Sequence, residues 1–266
     1  MTDRPIIFSA PMVRALLERR KTQTRRLLNP QPTSECAGFQ RVFVAPPYFE
    51  ALDHAGKPCY PFPDGAGCVS PYPKIRFAVG DRLYVREHWK VDLEFEPFAP
   101  SELRELPFFD GDICYLATAP AESLRDPVWG RHRQGMHMPR WASRLTLTVT
   151  DVRVQRLGDI CEEDARAEGL LWTEPTDEDR EWAKSYAEEN GGDPSIEGVW
   201  TVPGIDCGFG PKPRCPMWGP TPKSCFQFLW DSLHTDKGKR WQDNPWVVAI
   251  SFDVQHGNID RIGGAA

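Results

Sequence analysis

Apolar and polar positions alternate most cleanly between residues 143 and 157. Leu145, Leu147 and Val149 interleave with Thr146, Thr148 and Thr150, and Val152 and Val154 continue beyond Asp151. A period of two puts the two sets on opposite faces of a strand, so this run reads as a half-buried strand in the middle of a sheet. Residues 5–8, 82–87 (after the Gly80-Asp81 turn) and 246–254 read as further strands. Val13, Leu16 and Leu17 have helical spacing behind Ser9, a good N-cap, and Pro11, which suits a first turn. This predicts a helix over 10–20, followed at once by a strand over 21–28. Asp159 and Glu162 have the spacing of a capping box and Gly169 is a natural stop, giving a short helix at 160–168. Another short helix is expected at 226–233.

Between these elements lie three stretches with no sustained period, 28–75, 91–140 and 172–225. The chain has 26 Pro and 21 Gly, which argues for a loop-rich protein and against a helical bundle. The reading is α+β: one domain over 1–266, with core segments 5–27, 76–90, 141–171 and 226–254 and three long insertions. A net charge of −6 excludes a generic polyanion binder, so any nucleic-acid contact needs a local basic patch. No apolar stretch approaches the roughly 20 residues of a membrane span. The run Pro5-Ile6-Ile7-Phe8 is too short for the core of a signal peptide. Eight Cys without an export signal suggest reduced thiols and a cytoplasmic location, with no membrane partner.

The basic patch is local. Arg14, Arg19, Arg20, Lys21, Arg25 and Arg26 crowd together, opposed only by Glu18. Such a cluster can hold phosphates, or it can be a solvated helix end whose cations favour the C-terminal dipole. On the strand, Thr22, Thr24 and Arg26 share one face, and Gln23 and Arg25 the other. Lys21, beside other cations and partly desolvated, would have a lowered pKa and can act as base or nucleophile; the plainer role is a surface lysine paired with Glu18. Glu168 falls on a helical face with Cys161 and Ala165, whose character suggests burial, and a buried carboxylate needs a partner such as Lys21 or Arg26. The alternative is a fraying helix end in water. Arg86 joins Arg19, Arg20, Thr22, Arg25 and Arg26 as a candidate ligand contact. Trp89 and Trp141 can stack a base, although core packing is the commoner role of a tryptophan. Cys207, Cys215 and Cys225 lack the short spacing of zinc knuckles, so no metal is expected, and no cofactor is implied. There is no phosphate-binding glycine loop, nucleophile elbow or His-Glu-x-x-His sequence.

The run Arg20-Lys21-Thr22-Gln23-Thr24-Arg25-Arg26, following an amphipathic helix, resembles the Lys-Thr-x-Thr-x-Arg signature of ASCH domains in the PUA-like superfamily. Gly80-Asp81-Arg82-Leu83 resembles the strand start of that family. Thr148 to Val152, Leu157 and the helix ending Ala165-Arg166-Ala167-Glu168-Gly169 resemble its next block, and Trp246 to Phe252 its final strand. Ser9 to Leu17 and Met138 to Arg144 look like a group of ASCH proteins carried by phages and prophages. The resemblance implies a PUA-like mixed β-barrel with flanking short helices and the insertions outside it. It implies a cleft that binds RNA or a modified nucleoside. The family includes amidohydrolases that deacylate N4-acetylcytidine, a ribonuclease, and domains that only read RNA. Lys21, Thr24 and Glu168 match the catalytic positions of the amidohydrolases, where such a set would suit amide hydrolysis. An enzyme requires those three to converge in an open cleft; a reader requires only a basic groove and exposed aromatics. The three insertions depart from the small amidohydrolases.

Overall fold

The computed structural model describes residues 2–29, 31, 51–52, 58–59, 75–122, 125–190, 199–202 and 221–262. In chain order its elements are β1 (Asp3–Ile7), α1 (Ala10–Leu17), β2 (Gln23–Leu27), β3 (Ala51–Leu52), β4 (Pro58–Cys59), β5 (Arg82–Arg86), β6 (Trp89–Lys90), β7 (Cys114–Tyr115), β8 (Leu145–Arg156), α2 (Glu162–Ala167), β9 (Leu171–Thr173), α3 (Asp177–Asn190), β10 (Val199–Thr201), α4 (Pro222–Leu233) and β11 (Trp246–His256).

The alternating run forms β8, the middle strand of a five-stranded sheet ordered β1-β5-β8-β11-β2. β1 and β5 are parallel, and the other neighbours are antiparallel. The consecutive apolar residues Trp246 to Ile250 are all buried, as expected of a strand covered on both faces. Leu145, Leu147, Val149, Ile250 and Phe252 share the core with Val13 and Leu16 of α1 and with Phe226, Leu229 and Trp230 of α4. Ser251 pairs with Asp151 but Phe252 pairs with Val149, leaving Thr150 as an extra residue on β8. A bulge of this kind bends a strand and strengthens its twist. The edge strands β1 and β2 border one cavity. Arg26 Nη2 reaches from β2 to donate to the Ile7 carbonyl of β1 at 2.8 Å. The fold is a mixed α+β structure with several sheets, and among the described residues no ladder joins β1 to β2.

Several boundaries differ from the sequence expectation. α1 stops at Leu17 rather than continuing to residue 20, because Arg19 takes a left-handed φ of 59°. The N–H groups of Arg20 and Lys21 then fold back onto the Ala15 carbonyl, and Lys21 enters a single bridge with Glu168 before β2 begins. Asp159 does not cap α2. It closes a 3-10 turn whose neighbours Leu157 and Ile160 are drawn into the core, and the cap is Cys161, whose sulfur accepts from the Asp164 N–H. Cys161 is exposed, so the expected buried face is buried only at Ala165 and Glu168. α4 begins four residues early, at Pro222, behind a Thr221–Ser224 capping box. α3 lies in a stretch expected to be irregular; its composition is helix-forming, and its few apolar residues, Trp182, Ala183, Tyr186 and Ala187, recur at helical spacing. Val91, Phe95, Leu103 and Met138 of the 91–140 insertion form a second small core with the flanking Trp89 and Ala142. There Arg133 Nη2 donates to the carbonyls of Phe95, Glu96 and Phe98.

Gly169 fixes the exit from α2. Its φ is +100°, and an added Cβ would sit 2.9 Å from the Ala15 Cβ and 3.1 Å from the Lys21 Cβ. Gly169→Ala should therefore cost more than the roughly 1–2 kcal/mol of a left-handed alanine alone. Gly238, with φ +84° and nothing nearby, supplies the control. Denaturant midpoints should fall further for Gly169→Ala than for Gly238→Ala; equal shifts would contradict the close approach.

Candidate functional site

The bridge between Lys21 and Glu168 joins residues 147 positions apart. Lys21 Nζ donates to Glu168 Oε2 at 2.7 Å and to the Glu168 carbonyl at 2.8 Å. The other carboxylate oxygen, Oε1, accepts from Arg25 Nη1 at 3.0 Å. Lys21 is 2% exposed, Glu168 3%, and the Arg25 side chain 0%. Both carboxylate oxygens thus face buried cations.

The network extends through Arg25. Its Nη2 binds Asp164 Oδ2 at 2.6 Å and its Nη1 binds Gln23 Oε1 at 2.6 Å. Gln23 Nε2 donates to Asp164 Oδ1 and to Ser251 Oγ, and Arg153 reaches Asp164 from β8. Gln23 and Arg25 meet α2 because they share one face of β2, while Asp164 in the first turn of α2 and Glu168 at its C-cap lie one turn apart. The sequence reading missed Asp164, Arg153, Gln23 and Ser251 as members of the site. The i, i+4 spacing of Asp164 and Glu168 was the available signal.

Burial holds the Lys21 ammonium below the ordinary lysine value. Glu168 pulls it back up, and the nearby Arg26 and Arg25 charges lower it again. Burial works to raise the Asp164 carboxyl, but the Arg153 hydrogen bond and the Arg25 and Arg153 charges hold it below the ordinary carboxylate range.

The other candidates occupy different surroundings. Thr24 is buried opposite Ile250, and among the described residues its hydroxyl makes no hydrogen bond to Lys21 or Glu168. Thr22 and Arg19 are exposed, and Arg20 is held by Glu18 and the Gly169 carbonyl. Arg25, expected to contact a ligand, instead spends its donors on Glu168, Asp164 and Gln23 and has no exposed surface to offer. Arg26 stacks over the Phe8 ring at 5.2 Å, and Lys21 Nζ lies 5.7 Å from the same ring. Arg86 lies over Tyr84 and donates to the Met136 carbonyl. Trp89 is 0% exposed at the centre of the second apolar cluster, so it cannot stack a base. Trp141 is half-buried, edge-on to Trp89 and to Phe109. Cys225 is buried, with its thiol pushed up to about 12 by burial; Cys207 and Cys215 lie outside the described residues. Among the described residues no helix is long and apolar enough to cross a membrane.

No family model, curated protein or solved structure matches this chain.

Two outcomes are expected from this geometry. Lys21→Met or Glu168→Gln leaves a buried charge short of its partner, which typically costs about 3–5 kcal/mol. The double variant should lose clearly less than the sum, measured by urea unfolding; strict additivity would mean the pair is not coupled. The second outcome concerns acid. A carboxyl lowered by folding stabilises above its unfolded value, near 4, and that contribution is lost as pH falls through the folded value. Unfolding midpoints between pH 7 and pH 3 should fall less steeply for Asp164→Asn than for the parent at the acid end.

Proposed function

We propose that this chain is a PUA-like protein of the ASCH type that takes RNA or a modified nucleoside, and that it hydrolyses an N4-acylcytidine-type amide at Lys21 and Glu168. The observation that carries this reading is the buried Lys21–Glu168 pair. Two groups from distant parts of the chain meet where one lysine is desolvated and one carboxylate is held by two cations, and sites of this kind concentrate acid–base chemistry. The cavity bordered by β1 and β2 supports the barrel reading, with its cleft at the seam between them.

In this mechanism Glu168 takes a proton from water as the water oxygen bonds to the acyl carbon. The Lys21 ammonium balances the negative charge that develops on the acyl oxygen. Glu168 then returns the proton to the departing N4 amine as the C–N bond breaks, leaving a carboxylic acid and cytidine. Thr24, on the neighbouring strand, orients the water or the acyl group. The closed pair must open for substrate, since neither member is exposed. That closure favours a second reading, a reader of RNA or a modified base in which the pair is a structural pin.

The test is incubation of the protein with N4-acetylcytidine, other acylated cytidines and RNA containing them, followed by mass spectrometry. Release of cytidine and acid is expected. Glu168→Gln should reduce the rate on the order of 10²–10⁴. Thr24→Val, a near-isosteric change that removes only the hydroxyl, separates lost chemistry from lost folding. Binding without turnover assigns the reader, shortened RNA assigns a ribonuclease, and a folded protein that does neither overturns the proposal.

A further inference from the structure

The cavity between β1 and β2 has a volume of about 420 Å³, within the usual range for small-molecule sites. Its apolar wall includes Ile6, Leu28, Phe77 and Val248, and two cations, Arg26 and Arg76, line it as well. Such a lining suits a ligand with one flat apolar part and one anionic part.

Arg26 is the informative residue. Lys21 and Arg25 occupy both oxygens of Glu168, and Arg25 and Arg153 occupy Asp164. Among the described residues Arg26 has no carboxylate within ion-pair distance, and its guanidinium gives one hydrogen bond, to the Ile7 carbonyl. Arg76 likewise has no ion pair among the described residues and is exposed at the cavity rim. Two arginines with donors to spare line one cavity, and a guanidinium presents the paired donors that suit a phosphate or carboxylate. Arg26 also ties this cavity to the candidate centre, because its guanidinium and Lys21 Nζ face the same Phe8 ring.

We propose that this cavity is a phosphate-anchored nucleotide subsite, in which Arg26 and Arg76 bind the phosphate of a nucleotide whose base rests on the apolar wall. The inference rests on the functional reading above and sharpens it: the ligand is a nucleotide, free or within an RNA chain, and a nucleoside without phosphate is a poor one. Arg26 is the arginine of the signature-like run, whereas Arg76 belongs to none of the segments that carry the ASCH resemblance, so its half of the anchor is not implied by that resemblance.

The experiment is calorimetric titration of the full chain with cytidine, cytidine 5′-monophosphate and inorganic phosphate. Two charge-assisted contacts should make the monophosphate bind at least about tenfold more tightly than cytidine, with an advantage that shrinks as salt rises. Arg76→Gln, at an exposed position, should remove most of the difference, and Arg26→Gln the remainder. Tight binding of phosphate alone that the monophosphate does not exceed would reduce the cavity to an anion site and overturn the nucleotide assignment. Equal affinity for cytidine and its monophosphate, an advantage that survives both substitutions, or no binding of the monophosphate at about 10 mM would also overturn it. Failure here is separable from failure of the hydrolase. Hydrolysis of an acylated nucleoside as fast as its 5′-phosphate keeps the hydrolase and removes the anchor. Tight monophosphate binding without turnover does the reverse.

Discussion

A carboxylate buried against two cations organises this molecule. Glu168 cannot sit out of water alone, since the desolvation of an unpaired charge costs several kcal/mol. Lys21 and Arg25 meet that requirement from the junction of α1 with β2 and from β2 itself. The same contacts clamp α2 to the edge of the sheet. The left-handed Arg19, the tight approach of Gly169 to Ala15 and the single bridge from Lys21 to Glu168 follow from bringing these groups together. Structure and candidate chemistry therefore share their residues here.

A buried pair of this kind is weak evidence for stability as such, because well-packed apolar groups often do as well or better. What it supplies is geometry. Gln23, Asp164, Arg153 and Ser251 engage both terminal nitrogens of Arg25 and the groups around them, leaving Arg25 Nε as the one buried donor of that guanidinium without a partner. Arg26 falls outside this closed account, on the face of β2 that looks toward the cavity. The contrast between an ion-paired centre and a neighbour with no ion pair among the described residues separates the part of the strand that holds the fold from the part that borders the cavity.

The insertion spanning 91–140 is tied down by charge as much as by its apolar cluster. Arg144 makes two hydrogen bonds to Glu87, whose carboxyl burial pushes upward, and lies 4.1 Å from the centre of the Tyr115 ring. Arg133 gathers three carbonyls in the same region and lies over Trp89. Trp89 is consumed by this packing, and Trp141 packs edge-on against it while staying half-buried. Aromatic residues in a loop-rich stretch look available for stacking until a local core claims them, and a short sequence window carries no sign of that claim.

The strands of the main sheet were legible in the sequence because alternation is a local property: Leu145, Leu147 and Val149 face one way wherever the strand is placed. The short helices were legible in kind but not in their ends, since Leu157 and Ile160 had to reach the core before α2 could begin. The opposite faces of Gln23/Arg25 and Thr24/Arg26 could be read from period two alone, and the need of a buried carboxylate for a partner pointed to Lys21 or Arg26 for Glu168; Lys21 takes that place, but the second partner is Arg25, not Arg26. Which of the basic residues would be buried, which would pair, and which would be left over could not be read. Lys21, Arg25 and Arg26 are neighbours with similar charge and reach, and their fates were decided by where α2 and β1 came to lie against β2. Long-range packing sets those distances, and the energy of a charge depends on its partners and its exposure to water, neither of which is written in the residues beside it.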